Sequence, residues 1–166
     1  MTKKKKDEWF RGKEMLLIVS LPGNDVFMAR AAAAGGADAI KIHLNVEHAA
    51  SGVKFGSFEE EKERVSDVLA EAAERGVAVG IMPGADEPAT PEELGQLAEM
   101  GVRFYDIYDF HMPVSYLSVK GIEPMVALGP GWKPDAPAIL NRTGVRLLEA
   151  SVQPHENYGK PLTMSD

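Results

Sequence analysis

Polar residues with catalytic potential alternate with aliphatic ones early in the chain. Residues 37–45 place Lys41, His43 and Asn45 on one face of a predicted strand, opposite an aliphatic face. A lysine within a barrel is costly to desolvate unless it is paired or used. Lys41 is therefore a candidate Schiff-base nucleophile, proton-transfer group or phosphate contact, or else the structural partner of a carboxylate. His43 is a candidate acid or base near neutral pH, or a histidine satisfied by a neighbour.

A later predicted strand carries an acidic residue in its middle, and an acidic residue and a histidine lie at its end. Asp106 lies within the strand, whereas Asp109 and His111 share one face at its end. A carboxylate beside an imidazole can orient a catalytic histidine or help to bind a metal. We therefore interpret Asp109 and His111 as the most site-like pair of the chain.

Glu149 occupies one face of the last predicted strand by the same two-residue alternation. It is interpreted either as an acid or base that points inward, or as the counter-charge of Lys41. The residues predicted to be catalytic are Lys41, His43, Asp109, His111 and Glu149.

A loop of unusual length, residues 46–56, follows the strand that carries Lys41. Loops longer than the usual two to six residues tend to be lids or binding loops. At its end, Gly56 and Ser57 begin a predicted helix, and the backbone amides of a helix start attract anions. The residues predicted to bind substrate are Asn45, His48, Gly56, Ser57, Lys133 and His155.

Cofactor chemistry is left open by the residue types. The chain contains no cysteine, so a thiolate metal site and a cysteine nucleophile are excluded. No metal site is favoured. A divalent metal is the alternative, and its ligands would be His43, His48, Asp109 and His111.

Strand and helix patterns alternate along the whole chain, which is typical of a parallel α/β sheet. The predicted strands are residues 15–21, 37–45, 77–82, 102–109, 124–128 and 145–152. The predicted helices are residues 26–34, 58–75, 91–100 and 136–142, with a short or irregular helix at 114–120. About six strand–helix units predict a TIM-barrel-like fold that stops before closure. A flavodoxin-like open parallel sheet is the structural alternative.

The predicted domain organisation is a basic tail and barrel-bottom cap at residues 1–14, followed by a barrel-type domain at residues 15–166. Trp9 and Phe10 are expected to close the bottom of the barrel. Six strands leave two edges unpaired. We expect either a chain truncated before its next helix or two copies that associate through their open sides. The predicted partner state is a homo-oligomer.

Composition narrows the classes of partner. A net charge of −7 argues against general nucleic-acid binding, which needs a positive field over one face. No apolar run approaches the roughly 20 residues that cross a bilayer. We therefore expect a cytoplasmic protein whose partner is a small-molecule substrate.

Residues 28–41, with the sequence MARAAAAGGADAIK, resemble the first helix and second strand of phosphate-binding (β/α)₈ barrel enzymes. The nearest likeness is to the N-acylmannosamine-6-phosphate 2-epimerase kind. The resemblance implies that Lys41 stands where such enzymes carry a basic residue facing the substrate, with Asp109 near an acidic one. It also implies a phosphorylated substrate.

Three functional hypotheses follow. The first is an isomerase, epimerase or lyase that acts on a small phosphorylated metabolite by acid and base chemistry at the carboxyl ends of the strands. The second is a metal-dependent hydrolase or aldolase that uses the His and Asp cluster. The third is a non-catalytic ligand-binding or assembly module.

Overall fold

A computed structural model describes residues 10, 15–129, 131–150, 157, 160, 161, 163 and 164. The strands are β1 (Ile18–Ser20), β2 (Ala39–His43), β3 (Val46–Glu47), β4 (Lys54–Phe55), β5 (Ala78–Met82), β6 (Phe104–Tyr108), β7 (Glu123–Leu128) and β8 (Leu147–Ala150). The α-helices are α1 (Val26–Ala34), α2 (Phe58–Arg75), α3 (Pro91–Met100) and α4 (Ala136–Arg142), and Val114–Ser118 forms a 3₁₀ helix.

Six of the strands form one parallel sheet in the order β1-β2-β5-β6-β7-β8. Neighbours in this sheet follow one another along the chain. A flavodoxin-like sheet doubles back instead, with the order 2-1-3-4-5. The alternative of a flavodoxin-like fold is therefore wrong.

The sheet curls strongly, as one side-chain contact demonstrates. Lys41 on β2 hydrogen-bonds Glu149 on β8 at 2.7 Å, although β8 lies four strands farther along the sheet. In a flat sheet, four strand spacings would separate their backbones by about 19 Å. The predicted TIM-barrel-like arc of six strand–helix units, which does not close, is thus confirmed.

Alternate residues of each strand serve the two sides of this arc. On β2, Ile40 and Ile42 are fully buried in the main core, together with Val65 of α2 and Leu94 of α3. Facing the other way, Ala39 packs in a second apolar cluster with the aromatic and aliphatic residues of neighbouring strands. Lys41 and His43 follow Ala39 on that same face, so the helix-free side of the sheet carries the polar groups.

The long connection after β2 contains structure that the sequence pattern did not predict. β3 and β4 pair in antiparallel fashion, with Val46 opposite Phe55 and Glu47 opposite Lys54. Phe55 is buried, and its ring lies 4.9 Å from the ring of His43. We call residues 46–55 the hairpin; it covers part of the carboxyl end of the sheet.

At the opposite end of the sheet, the ring of Phe10 lies 5.5 Å from the guanidinium carbon of Arg146. Arg146 immediately precedes β8 and holds Glu123 of β7 at 2.9 and 2.8 Å. Trp9, which was also expected to close the bottom of the barrel, lies outside the described residues. Among the helices described here, none has both the length and the apolar character needed to cross a bilayer.

Candidate functional site

One lysine and two carboxylates form the centre of the inner face. Lys41 Nζ on β2 donates hydrogen bonds to Asp106 Oδ2 on β6 and to Glu149 Oε2 on β8, the latter at 2.7 Å. The Asp106 side chain is only 3% exposed, compared with 13% for Lys41 and 41% for Glu149. The group therefore runs from the buried middle of the sheet towards solvent. It realises the predicted role of Glu149 as the counter-charge of Lys41.

The three groups shift one another's proton affinity. Burial works to lower the pKa of Lys41, but the carboxylates of Asp106 and Glu149 outweigh it and raise that pKa. Burial raises the pKa of Asp106 to about 7. Burial also works to raise the pKa of Glu149, yet its hydrogen bond with Asp106 and the Lys41 ammonium lower it overall. Near neutral pH the site thus holds an ammonium and an ionised Glu149, beside an Asp106 carboxyl that keeps its proton to a higher pH than an ordinary aspartate.

A cavity of about 310 Å³ opens at the carboxyl ends of the strands above this group. Its polar lining includes Ser20, Lys41, His43, His48, His111 and Glu149. The walls also include Val46 and Glu47 of the hairpin and Met82 of β5. The volume suits a small metabolite and lies where barrel enzymes place their active sites.

His43 lies at the edge of this cavity as a neutral imidazole. Its Nε2 is 3.2 Å from Ser20 Oγ, and its Nδ1 has no hydrogen-bond partner among the described residues. Burial, with smaller contributions from His48 and Lys41, lowers its pKa to about 3. The charged form of His43 is therefore disfavoured, because a buried imidazole beside an ammonium resists a second positive charge.

Asn24 fixes the backbone of His43. Its Oδ1 accepts from the His43 N–H at 3.1 Å, and its Nδ2 donates to the His43 carbonyl at 2.8 Å. β1 has already ended at Ser20, so this buried amide replaces the strand that would otherwise pair there. Glu61 of α2 accepts from Asn24 Nδ2 at 3.1 Å and holds the amide in place.

Asp109 does not reach the cavity. β6 ends at Tyr108 and the chain turns, so the alternation that predicted a shared face for Asp109 and His111 stops. Asp109 lines a separate groove of about 170 Å³ near Val114. His111 does line the cavity, but its Nδ1 faces Asp86 at 3.6 Å.

The start of α2 is not available to bind an anion as predicted. The Ser57 N–H donates to Glu60 Oε2 at 2.7 Å, and the Gly56 N–H is 3.3 Å from Glu61 Oε1. Both amides are therefore satisfied by carboxylates of the helix itself. These negative charges oppose a phosphate at the same place.

The other predicted contacts divide between the cavity and the periphery. His48 lines the cavity. Asn45 instead adopts a left-handed backbone with φ of 50°, and its side chain reaches the Pro83 carbonyl at 3.4 Å, so its role is in the turn. Lys133 is exposed in the turn before α4. His155 lies outside the described residues.

The alternative metal site does not assemble. Within the part of the chain that the structure describes, no three His, Asp or Glu residues converge as a metal site requires. His43 and His48 are neighbours, with ring centroids 4.7 Å apart. Asp109 faces its own groove, so the predicted set of four ligands is not brought together.

Asp106 and Ser20 are functional candidates to which the sequence pattern assigned no role. Asp106 lies two residues from both Phe104 and Tyr108, and this spacing already indicates that it shares their inward face. Its partner Lys41 is 65 positions away, so the pairing has no local signal. Ser20 is the last residue of β1 and carried no periodic signal of its own.

No protein-family model matches the sequence, and no curated protein matches it. Solved structures do match. A protein assigned as a fructose-1,6-biphosphate aldolase from Coccidioides immitis aligns with a TM-score of 0.56 and 17% identity, over 81% of this chain and 55% of that one. The fold is shared. At this identity, fold is all that the likeness shows.

Two further solved structures share this fold. 2,3-Dimethylmalate lyase, a PEP mutase/isocitrate lyase superfamily member, aligns with a TM-score of 0.53 and 13% identity, over 83% of this chain and 59% of that one. Dihydropteroate synthase from Thermus thermophilus aligns with a TM-score of 0.52 and 17% identity, over 89% of this chain and 62% of that one. The chain therefore spans less than two thirds of the length of these structures.

Proposed function

We propose that this chain carries the active site of a lyase or isomerase that removes a proton from a carbon next to a carbonyl or carboxylate group. The substrate would be a small anionic metabolite. One observation carries the proposal. A carboxylate, Glu149, and an ammonium, Lys41, lie 2.7 Å apart at the floor of a cavity of about 310 Å³.

The two groups have complementary tasks in such a reaction. Glu149 accepts the proton from the substrate carbon, and the electron pair of the broken C–H bond moves into the neighbouring C=O bond. The enolate oxygen thereby gains negative charge, which the Lys41 ammonium stabilises. In an isomerase, Glu149 returns the proton to carbon. In a lyase, the electron pair instead expels the group on the next carbon.

Asp106 supports Lys41 from below. It is buried and does not line the cavity, so it holds the ammonium towards Glu149 without touching substrate. Two carboxylates around Lys41 also raise its pKa. An amine nucleophile for Schiff-base chemistry must be unprotonated, and this arrangement disfavours that form.

The lyase branch gains support from the neighbours in fold, two of which are described as an aldolase and a lyase. A phosphorylated substrate, by contrast, gains no support from α2, whose first amides already bind Glu60 and Glu61. We therefore base the substrate class on its carbon acidity and negative charge alone.

Solvent deuterium exchange tests the proposal. Pyruvate, oxaloacetate and malate are incubated with the protein in D₂O, and loss of the C–H signal is followed by ¹H NMR. Catalysed exchange in at least one of them is expected. Glu149→Gln and Lys41→Met should each lower the rate by on the order of 10²-fold or more. Lys133→Ala is the control, because Lys133 lies in an exposed turn.

Two results would contradict the proposal. One is the absence of catalysed exchange throughout this set of carbon acids by a folded protein. The other is exchange that persists at the original rate in Glu149→Gln, since that would place the base elsewhere.

A further inference from the structure

His48 belongs to the hairpin, yet it lines the same cavity as Lys41 and Glu149. Its ring packs edge-on against His43, with centroids 4.7 Å apart. The side chain is half-buried. The hairpin thus adds an imidazole to the ammonium and the carboxylate of the floor.

Hydrogen bonds within the hairpin define which nitrogen of His48 carries the proton. The Ser51 N–H donates to His48 Nδ1 at 3.2 Å. The Ser51 hydroxyl accepts the Val53 N–H at 3.4 Å and, at 2.9 Å from the same His48 nitrogen, donates its own hydrogen to it. A ring nitrogen that accepts an N–H bond has its lone pair there, so the neutral ring carries its proton on Nε2.

The surroundings also keep this ring neutral. Burial lowers the pKa of His48, and the Lys41 ammonium lowers it further. Protonation of Nδ1 would turn the 3.2 Å contact with the Ser51 amide into two donors facing each other. His48 is therefore an uncharged imidazole with a single donor, Nε2–H, at the edge of the cavity.

We propose that His48 is a catalytic residue whose neutral Nε2–H donates a hydrogen bond to the substrate oxygen that becomes negative when Glu149 takes the proton. This inference rests on the proposed function. A neutral imidazole is a weak acid, so it can polarise a carbonyl without giving up its proton. Lys41 supplies the charge at this oxygen, and His48 supplies a second, directional donor.

The tautomer is tested first, without any substrate. A two-bond ¹H–¹⁵N correlation spectrum of the uniformly ¹⁵N-labelled protein distinguishes the two neutral tautomers and the cation for each of its four histidines. His48→Phe identifies the signal by its loss. At pH 7 we expect the Nε2–H form, and we expect it again in Ser51→Ala, which retains the backbone amide. An Nδ1–H ring or a cationic ring at pH 7 would overturn the inference.

The catalytic role is tested with oxalate, a planar dianion that imitates an enolate. Oxalate should shift the His48 Nε2 signal, and His48→Phe should weaken oxalate binding at least tenfold. The same variant should slow deuterium exchange on the order of 10²-fold, mostly in kcat. His48→Gln, whose amide can also donate, should recover part of that rate.

The outcomes separate this inference from the proposed function. If no carbon acid exchanges but oxalate still binds and shifts the Nε2 signal, the proposed function fails and His48 stands as a donor to anionic oxygen. If exchange proceeds in His48→Phe at the original rate, the proposed function stands and this inference fails.

Discussion

Replacement of Asp106 by asparagine tests the electrostatics of the site through its effect on stability. Burial raises the pKa of Asp106 from 3.8 to about 7. Between these two pH values the folded protein holds a proton that the unfolded chain has released, so the free energy of unfolding falls as pH rises. This contribution to stability is fully present below pH 3.8 and is lost as pH rises through 7.

The size of this effect follows from the pKa difference. A difference of about three pH units corresponds to a ceiling of roughly 4 kcal/mol. Glu149 titrates together with Asp106, so we expect about half of it, roughly 2 kcal/mol. The amide that replaces the carboxyl group cannot titrate. The free energy of unfolding of Asp106→Asn minus that of the parent should therefore increase by this amount from pH 4.5 to pH 8.

Urea unfolding of both proteins at pH 4.5, 6 and 8 measures the difference. Because the other titrating groups are common to both proteins, their contributions largely cancel when the two free energies of unfolding are subtracted. A difference that stays constant with pH would refute the reasoning, because it would mean that Asp106 keeps its ordinary pKa in the fold.

Three further substitutions have defined outcomes. Gly80→Ala should destabilise the fold by roughly 2 kcal/mol, since its Cβ would lie 2.1 Å from the buried ring of Phe104. In urea unfolding, the double variant Gly80→Ala with Phe104→Leu should lose less stability than the sum of the two single variants. Additive losses would contradict the clash. Asn24→Ala should cost roughly 2–4 kcal/mol, because it leaves both backbone groups of His43 buried and unpaired; a loss below about 1 kcal/mol in urea would contradict this. Glu71→Gln should flatten the acid limb of the stability profile, because two arginines lower the pKa of Glu71 to about 2 and its stabilisation is lost as pH falls from 4.5; an acid limb unchanged in thermal melts would contradict this.

Local patterns in the sequence predicted most of the fold. The helix predicted at residues 91–100 has the bounds of α3 in the structure, where Thr90 and Glu93 form a capping box and Pro91 takes the first helical position. The alternation in β2 likewise predicted that Lys41 and His43 share one face. These features depend on residues within one element, and a linear sequence displays them directly.

The errors arose where a partner is remote in sequence or where an element ends early. Asp109 was assigned to the site because the strand was expected to continue through it, but β6 stops one residue before. Asp86, which lies opposite His111 instead, follows a different strand. Gly56 and Ser57 were predicted to bind an anion because the backbone amides of a helix start attract negative charge. In the fold, the carboxylates of Glu60 and Glu61 already accept hydrogen bonds from these amides.

The two hydrogen bonds between the Asn24 side chain and the His43 backbone also affect solubility. Past Ser20, β2 would become the exposed edge of the sheet, with the N–H and C=O of His43 open to any strand that approached from solvent. Such free edges are templates for intermolecular strand pairing and aggregation. Asn24 occupies both groups with a side chain that cannot propagate a strand. The same amide that positions His43 therefore also protects this corner of the sheet from self-association.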